Sequence, residues 1–295
     1  MNFNEEMKKR VEQIERVLAA YLPKEQGLQK TIFESMNYSV LAGGKRLRPM
    51  IMQETYRLFG GDQEEIEPFM AAMEMIHSSS LVHDDLPAMD ADEYRRGRKT
   101  TWVVYGEDMA ILAGDALMIY AFETAAKAFA ISPHPQRVGQ AVGILAQKTG
   151  IYGMIGGQTV DVELTDKPMS AEQLDFIYRL KTGALLEASM MIGAVLAGAG
   201  PQEVAAVERV ACDVGVAFQI QDDILDVTST AEVLGKPIGS DQKNNKTTYV
   251  TLYGMEQAGQ QVEILSHRAL DTLKKLPQRN EYLEELFISL IHRKK

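Results

Sequence analysis

Apolar positions three and four apart recur along 5–21, 31–41, 47–59, 65–83, 108–129, 136–155, 171–196 and 202–224, the period of helices that bury one face or all of it. Alternation with period two is scarce, so few strands are expected. Stops fall between these stretches, at Ala42-Gly43-Gly44, Gly60-Gly61-Asp62, Ser132-Pro133-His134-Pro135 and Gly198-Ala199-Gly200-Pro201. Ser170 followed by Ala171-Glu172-Gln173 has the form of a capping box. The pattern predicts an all-α chain of about ten or more helices, bundled around a central cavity with ligand groups projecting inward.

Length and composition narrow this picture. No Pro-, Gly- or Ser-rich stretch reads as a linker, so residues 1–295 are expected to form a single domain. At 45% hydrophobic and 24% charged, the chain can build a sizeable core. The single cysteine, Cys212, has no intramolecular disulfide partner, and the first ten residues lack the pattern of a signal peptide, which points to the cytoplasm. The apolar run at 110–130 carries Asp115, Glu123 and Lys127, so no stable membrane insertion is expected. A net charge of -10 argues against a nucleic acid partner. Against that background, Lys45, Arg46 and Arg48, and then Arg95, Arg96, Arg98 and Lys99, bunch positive charge locally. Such bunching is either a solvated patch or an anion site.

Two aspartate clusters sit in apolar sequence, Asp84-Asp85-Leu86-Pro87-Ala88-Met89-Asp90 and Asp222-Asp223-Ile224-Leu225-Asp226. At roughly 100° of turn per residue, Asp222 and Asp226 lie about 40° apart and Asp223 about 60° from Asp226, so the three share a helical face. Their mutual repulsion invites a cation. In the first cluster a straight helix would set Asp84 and Asp90 roughly 120° apart. Pro87 offers a bulge or a helix end that swings Asp90 back. Oxygen ligands alone suit a hard cation, and magnesium in particular takes a few carboxylates together with phosphate oxygens.

These clusters, with Gly43-Gly44-Lys45-Arg46-Leu47-Arg48-Pro49, Arg95-Arg96-Gly97, Lys181-Thr182-Gly183, Phe218-Gln219-Ile220-Gln221, Gly235-Lys236 and Gly239-Ser240-Asp241, make the chain resemble the trans-isoprenyl diphosphate synthase family, especially its bacterial short-chain farnesyl and geranylgeranyl members. The resemblance implies the all-α isoprenoid synthase fold. It implies that Asp84, Asp85, Asp90, Asp222, Asp223 and Asp226 hold magnesium, three ions with diphosphate bound, for which Mn2+ can substitute. It assigns the allylic diphosphate to Arg95, Lys181, Lys236 and Lys246, and isopentenyl diphosphate to Lys45, Arg48, His77 and Arg96. Thr182 and Gln219 would face the allylic cation, and relatives pair as homodimers through long helices. The expected reaction condenses isopentenyl diphosphate with dimethylallyl, geranyl or farnesyl diphosphate to give the C15 or C20 product.

Product length is read from the helix before the first motif. Ser80 lies one turn, about 5.4 Å, below Asp84, with Ser79 beside it. Farnesyl synthases of this type usually carry an aromatic residue at the Ser79 position, so Ser79 leaves room for a further isoprene unit, unless Met75 or a partner subunit closes the tunnel. Trp102 and the basic end at His292, Arg293, Lys294 and Lys295 are further features without a fixed role. Three other readings compete. His83-Asp84 fits a metal phosphohydrolase of the His-Asp type, but His77, His134, His267 and His292 do not supply its remaining ligands. An inert regulatory subunit would have no need of both aspartate motifs. A terpene cyclase would have no use for the basic motif at 43–49.

Overall fold

A computed structural model of the chain describes residues 2–228 and 247–291. Gly235, Lys236, Gly239, Ser240, Asp241 and Lys246, and the basic end from His292, lie outside the described residues. The chain divides into two compact units, Met1–Gly143 with Val195–Gly198, and Ile144–Ala194 with Ala199–Lys295.

The first unit holds α1 (Phe3–Tyr21), α2 (Lys30–Val40), α3 (Leu47–Leu58), α4 (Glu67–Asp84), α5 (Thr101–Tyr105), α6 (Glu107–Ala126) and the start of α7 (Pro135–Thr149). Its core helix is α4. Pro68 fits its first turn, where no N–H is needed, and Phe69, Met70, Met73, Met75 and Ile76 are all fully buried. α4 packs against α6, where Ala110, Ala113, Gly114 and Ala121 let the two backbones approach. Gly114 leaves room for the His83 ring, since a Cβ there would stand 2.1 Å from its Nε2. Two buried carboxylates are paired with arginine: Glu74 with Arg46 at 2.7 Å, and Glu54 with Arg10 at 2.9 Å and Arg57 at 2.6 Å. Removing one partner of such a buried pair costs about 3–5 kcal/mol, because the other charge is stranded.

The second unit holds α8 (Met154–Glu163), α9 (Ala171–Ile177), α10 (Ala184–Ala197, less its last residues), α11 (Pro201–Thr228), α12 (Tyr249–Tyr253), α13 (Met255–Lys274) and α14 (Glu281–Ile291). α11 is its spine, about 42 Å long at 1.5 Å per residue. It packs along α13, to which it is tied by the fork of Arg268 on Asp213 at 2.7 and 2.5 Å. The capping box at Ser170 is present as expected: Gln173 N–H donates to Ser170 Oγ at 3.2 Å, and Ser170 N–H donates to Gln173 Oε1 at 2.8 Å.

The structure is all-α, apart from one hairpin of β1 (Tyr94–Arg95) and β2 (Arg98–Lys99) among the described residues. It departs from the expected elements in two places. The helix expected over 136–155 ends at Thr149 and restarts at Met154. A Cβ at Gly153 would lie 2.0 Å from the Lys148 carbonyl, so the chain turns there on glycine. The helix expected over 171–196 is interrupted by a π-helical turn, Tyr178–Gly183. The stretches Glu107–Ala130 and Ala171–Ala197 are long and apolar enough to cross a membrane by length and composition, although the second is 72% buried within the protein.

Candidate active site

In the first unit, α4 ends on Asp84, and the inserted residues form a turn. Met89 N–H donates to the Leu86 carbonyl at 2.8 Å, and Asp90 N–H donates to that of Asp84 at 2.9 Å. Asp90 is thus folded back beside the helix end. Of the two possibilities left open by Pro87, the structure takes the helix end. Burial raises the pKa of Asp85, an effect that Arg95 opposes and that Asp92 and Asp90 reinforce. The Arg95 guanidinium donates to Asp85 Oδ1 at 2.6 Å and to Asp92 Oδ2 at 3.4 Å. Trp102 gains a role here: its Nε1–H, with the Thr100 hydroxyl, donates to the Asp92 carbonyl and ties down the loop after the motif.

Arg96 and Gly97 both adopt positive φ, 54° and 75°, as the two central residues of a tight hairpin turn require. The turn sends the Arg96 guanidinium onto the Gly43 carbonyl. A Cβ at Gly44, itself at φ 139°, would come within 2.8 Å of that guanidinium, so the glycine makes space for it. Lys45, Arg46, Arg48, His77, Glu74 and Arg96 wall a cavity of about 510 Å³. Arg46 is structural, since it donates to Glu15, Glu74 and the Val40 carbonyl. Arg48 approaches His77 Nε2 at 3.4 Å, and its Nε has no hydrogen-bond partner among the described residues. Burial, with Arg48 and Arg96 alongside, drives the His77 pKa well below its usual range, so His77 is neutral here. Burial likewise lowers Arg48 and Arg96. A dianion would relieve all of these costs together.

Ser80 donates its hydroxyl to the His77 carbonyl at 2.9 Å. Ser79 is fully buried, and its Oγ has no partner among the described residues. Met75 is buried in the same helix one turn earlier.

In the second unit, a cavity of about 190 Å³ is lined by Tyr178, Lys181 and Thr182 of the π turn, by Gln219, Asp222, Asp223 and Asp226 of α11, and by Asp161 of α8. Thr182 Oγ1 donates to Gln219 Oε1 at 2.8 Å, so the two predicted polar groups meet. Lys181 Nζ donates to Asp161 Oδ2 at 2.5 Å. Two glycines hold the turn in place: a Cβ at Gly157 would lie 2.2 Å from the Lys181 backbone nitrogen, and one at Gly215 would lie 3.0 Å from Gly183 Cα. A π turn inside an α-helix is frequent at functional sites. Asp161, Tyr178 and Glu74 were missed in the sequence. Their only signal was an isolated polar residue in an apolar helix.

Among the described residues no three acidic, histidine or cysteine side chains close into a ready-made cage. The donor sets nevertheless fit a hard divalent cation, since Asp84, Asp85 and Asp90 in one unit, and Asp222, Asp223 and Asp226 in the other, offer oxygen alone. A metal that takes most of its ligands from diphosphate and water needs only a few such carboxylates.

A family model described as polyprenyl synthetase matches residues 29–286. A geranylgeranyl diphosphate synthase of Cyanophora paradoxa is 44% identical over 265 residues, covering 90% of this chain and 87% of its own. A farnesyl diphosphate synthase of Geobacillus stearothermophilus is 42% identical over 245 residues, covering 83% of this chain and 82% of its own. Among solved structures, the apo crystal structure of an FPP/GFPP synthase from Zymomonas mobilis matches with a TM-score of 0.87 at 31% identity, over 98% of this chain and 99% of that one. The chain belongs to the polyprenyl synthetase family and has its all-α isoprenoid synthase fold.

Proposed function

We propose that the chain is a short-chain trans-prenyltransferase that condenses isopentenyl diphosphate with dimethylallyl, geranyl or farnesyl diphosphate and makes farnesyl (C15) and geranylgeranyl (C20) diphosphates. The observation that carries this reading is the cavity walled by Lys45, Arg48, His77 and Arg96 in a chain of net charge -10. Strong local positive charge against an acidic whole is what a diphosphate selects.

Isopentenyl diphosphate is bound there, with Arg48 and Arg96 giving forked contacts to its oxygens and Lys45 a point charge. Neutral His77 adds a hydrogen-bond donor without further crowding of charge. Asp84, Asp85 and Asp90 of the first motif, and Asp222 and Asp226 of the second with Asp223 between them, would hold the divalent cations that carry the allylic diphosphate, magnesium with Mn2+ as a substitute. When bound, the metal neutralises charge on the departing diphosphate. Arg95 and Lys181 turn from Asp85 and Asp161 to the same oxygens and stabilise the developing charge. The allylic carbon–oxygen bond breaks with its electron pair on diphosphate. The double bond of isopentenyl diphosphate then forms the new carbon–carbon bond, and the departed diphosphate takes the final proton. Thr182 and Gln219 direct oxygen dipoles toward the cation.

We also propose a homodimer acting in the cytoplasm. Ile111, Leu112 and Ile119 of α6 are exposed, with Leu28 beside them across an open apolar groove. A second copy seated on this face would cover it, as family resemblance implies. The function is tested by incubating purified chain with isopentenyl and dimethylallyl diphosphates, with magnesium and with a chelator, and following released diphosphate. Metal-dependent release that requires both substrates supports the reading. Release from one substrate alone is the behaviour of a phosphohydrolase and would sink it.

A further inference from the structure

Asp223 is 7% exposed, and one carboxylate oxygen, Oδ2, accepts from two directions. The Tyr178 hydroxyl donates to it at 2.5 Å from the π turn, and the Tyr249 backbone N–H donates to it at 2.7 Å from the first residue of α12. Tyr178 is itself buried. α12 is fixed in turn by its own capping box, Thr251 N–H to Thr248 Oγ1 at 3.2 Å and Thr248 N–H to Thr251 Oγ1 at 2.8 Å. Asp223 thus joins three elements, the spine α11, the π turn and α12, at one oxygen.

We propose that Tyr178 is a positioning residue for the second aspartate motif: it fixes Asp223 as an internal acceptor that aims Asp222 and Asp226 at the cation and diphosphate. The helix geometry supports the division of labour. Asp222 and Asp226 lie about 40° apart on α11, whereas Asp223 lies about 100° from Asp222, toward the flank of that face. A carboxylate oxygen has about two lone pairs to offer. Both on Oδ2 are engaged by short donors, and hydrogen bonds to a charged acceptor are the strong kind. A cation seeking that oxygen would have to displace the hydroxyl or the amide. The π turn makes the coupling direct, because Tyr178 begins the same turn that carries Lys181 and Thr182 into the cavity. Disturbing Tyr178 therefore moves metal and allylic diphosphate binding together, while the isopentenyl diphosphate pocket is walled by other residues, Lys45, Arg48, His77 and Arg96 among them.

This inference rests on the proposed prenyltransferase reading, and its test separates the two. Tyr178→Phe, Asp223→Asn and the double variant are compared with wild type by calorimetric titration with magnesium and inorganic diphosphate, and by steady-state kinetics. Both single variants are expected to lose about tenfold in affinity for magnesium diphosphate, the size of one hydrogen bond to a charged group. The double variant should lose no more than either single, because the two residues act as one unit. KM for the allylic diphosphate and the magnesium half-saturation should rise alike, with KM for isopentenyl diphosphate unchanged. Wild-type metal affinity in Tyr178→Phe, or losses that multiply in the double variant, would overturn the proposal. So would a lower kcat and lower melting temperature with unchanged metal affinity, the mark of a merely structural role. Should Tyr178→Phe fail to fold, Asp223→Asn decides: a loss near tenfold fits positioning, and a loss of about a hundredfold or more marks a direct ligand and overturns it. If wild type makes no prenyl product, the parent reading falls, and the calorimetry still decides the role of Tyr178.

Discussion

Ser79 and His77 lie two residues apart on α4, and the buried environment acts on each differently. The Ser79 hydroxyl is fully buried with no partner among the described residues. An unmet buried hydroxyl costs about 1–3 kcal/mol. Ser79→Ala is therefore expected to stabilise the protein by about 1 kcal/mol, read as a higher urea midpoint, and to keep the product range of wild type. Ser79→Phe is expected to restrict products to C15, as measured by chromatography; unchanged C20 output would remove Ser79 from the tunnel wall. His77 has a folded pKa well below its usual 6.5, so it stays neutral while the unfolded chain gains a proton. Its contribution is complete above about pH 6.5 and is lost as pH falls below it. His77→Gln should flatten stability between about pH 7 and pH 5, as followed by chemical denaturation. A slope equal to that of wild type would place the loss elsewhere.

The π turn makes its own prediction at the scale of elements. Gly157→Ala pushes a methyl group to within 2.2 Å of the Lys181 nitrogen, and backbone cannot yield as a side-chain end can. The expected cost is about 1–3 kcal/mol, with a fall in kcat from displaced Lys181 and Thr182. Wild-type stability and kcat would show that the turn gives way freely. Most helices were legible in the sequence because each buries a face with regular apolar spacing, as along α4 and α11. The capping box at Ser170 was legible for a local reason, four residues that satisfy one another. The π turn was not legible, since 171–196 keeps its apolar period and the close approach of Gly157 and Gly215 to it comes from other helices. The break after Thr149 could have been read from Gly150 and Gly153, which the apolar spacing outweighed. In the site, the aspartates and the basic motif stood out by local clustering. Asp161, Tyr178 and Glu74 did not, since each is recognised only by the partner it meets in space: Lys181, Asp223 and Arg46.

For the whole molecule, the exposed apolar side of α6 calls for a partner. Ile119 is 71% exposed, Leu112 54%, and Leu28 nearby is fully exposed. A scattering of such residues is ordinary, and the proposed dimer is the account under which these are covered together. Sedimentation should give a dimer, and Ile119→Glu combined with Leu112→Glu should give monomers. A wild-type monomer would leave this face to another partner. A membrane would declare itself by co-sedimentation with vesicles, which the dimer account does not expect.

The most direct test is the chain length of the product. Purified protein is incubated with magnesium, isopentenyl diphosphate carrying a label, and dimethylallyl, geranyl or farnesyl diphosphate in turn, and the products are separated and weighed. The account predicts labelled prenyl diphosphates from every starter it accepts, ending at C15 and C20, with farnesyl diphosphate itself extended to C20. If no starter is elongated, the chain is not a prenyltransferase, and the central claim fails.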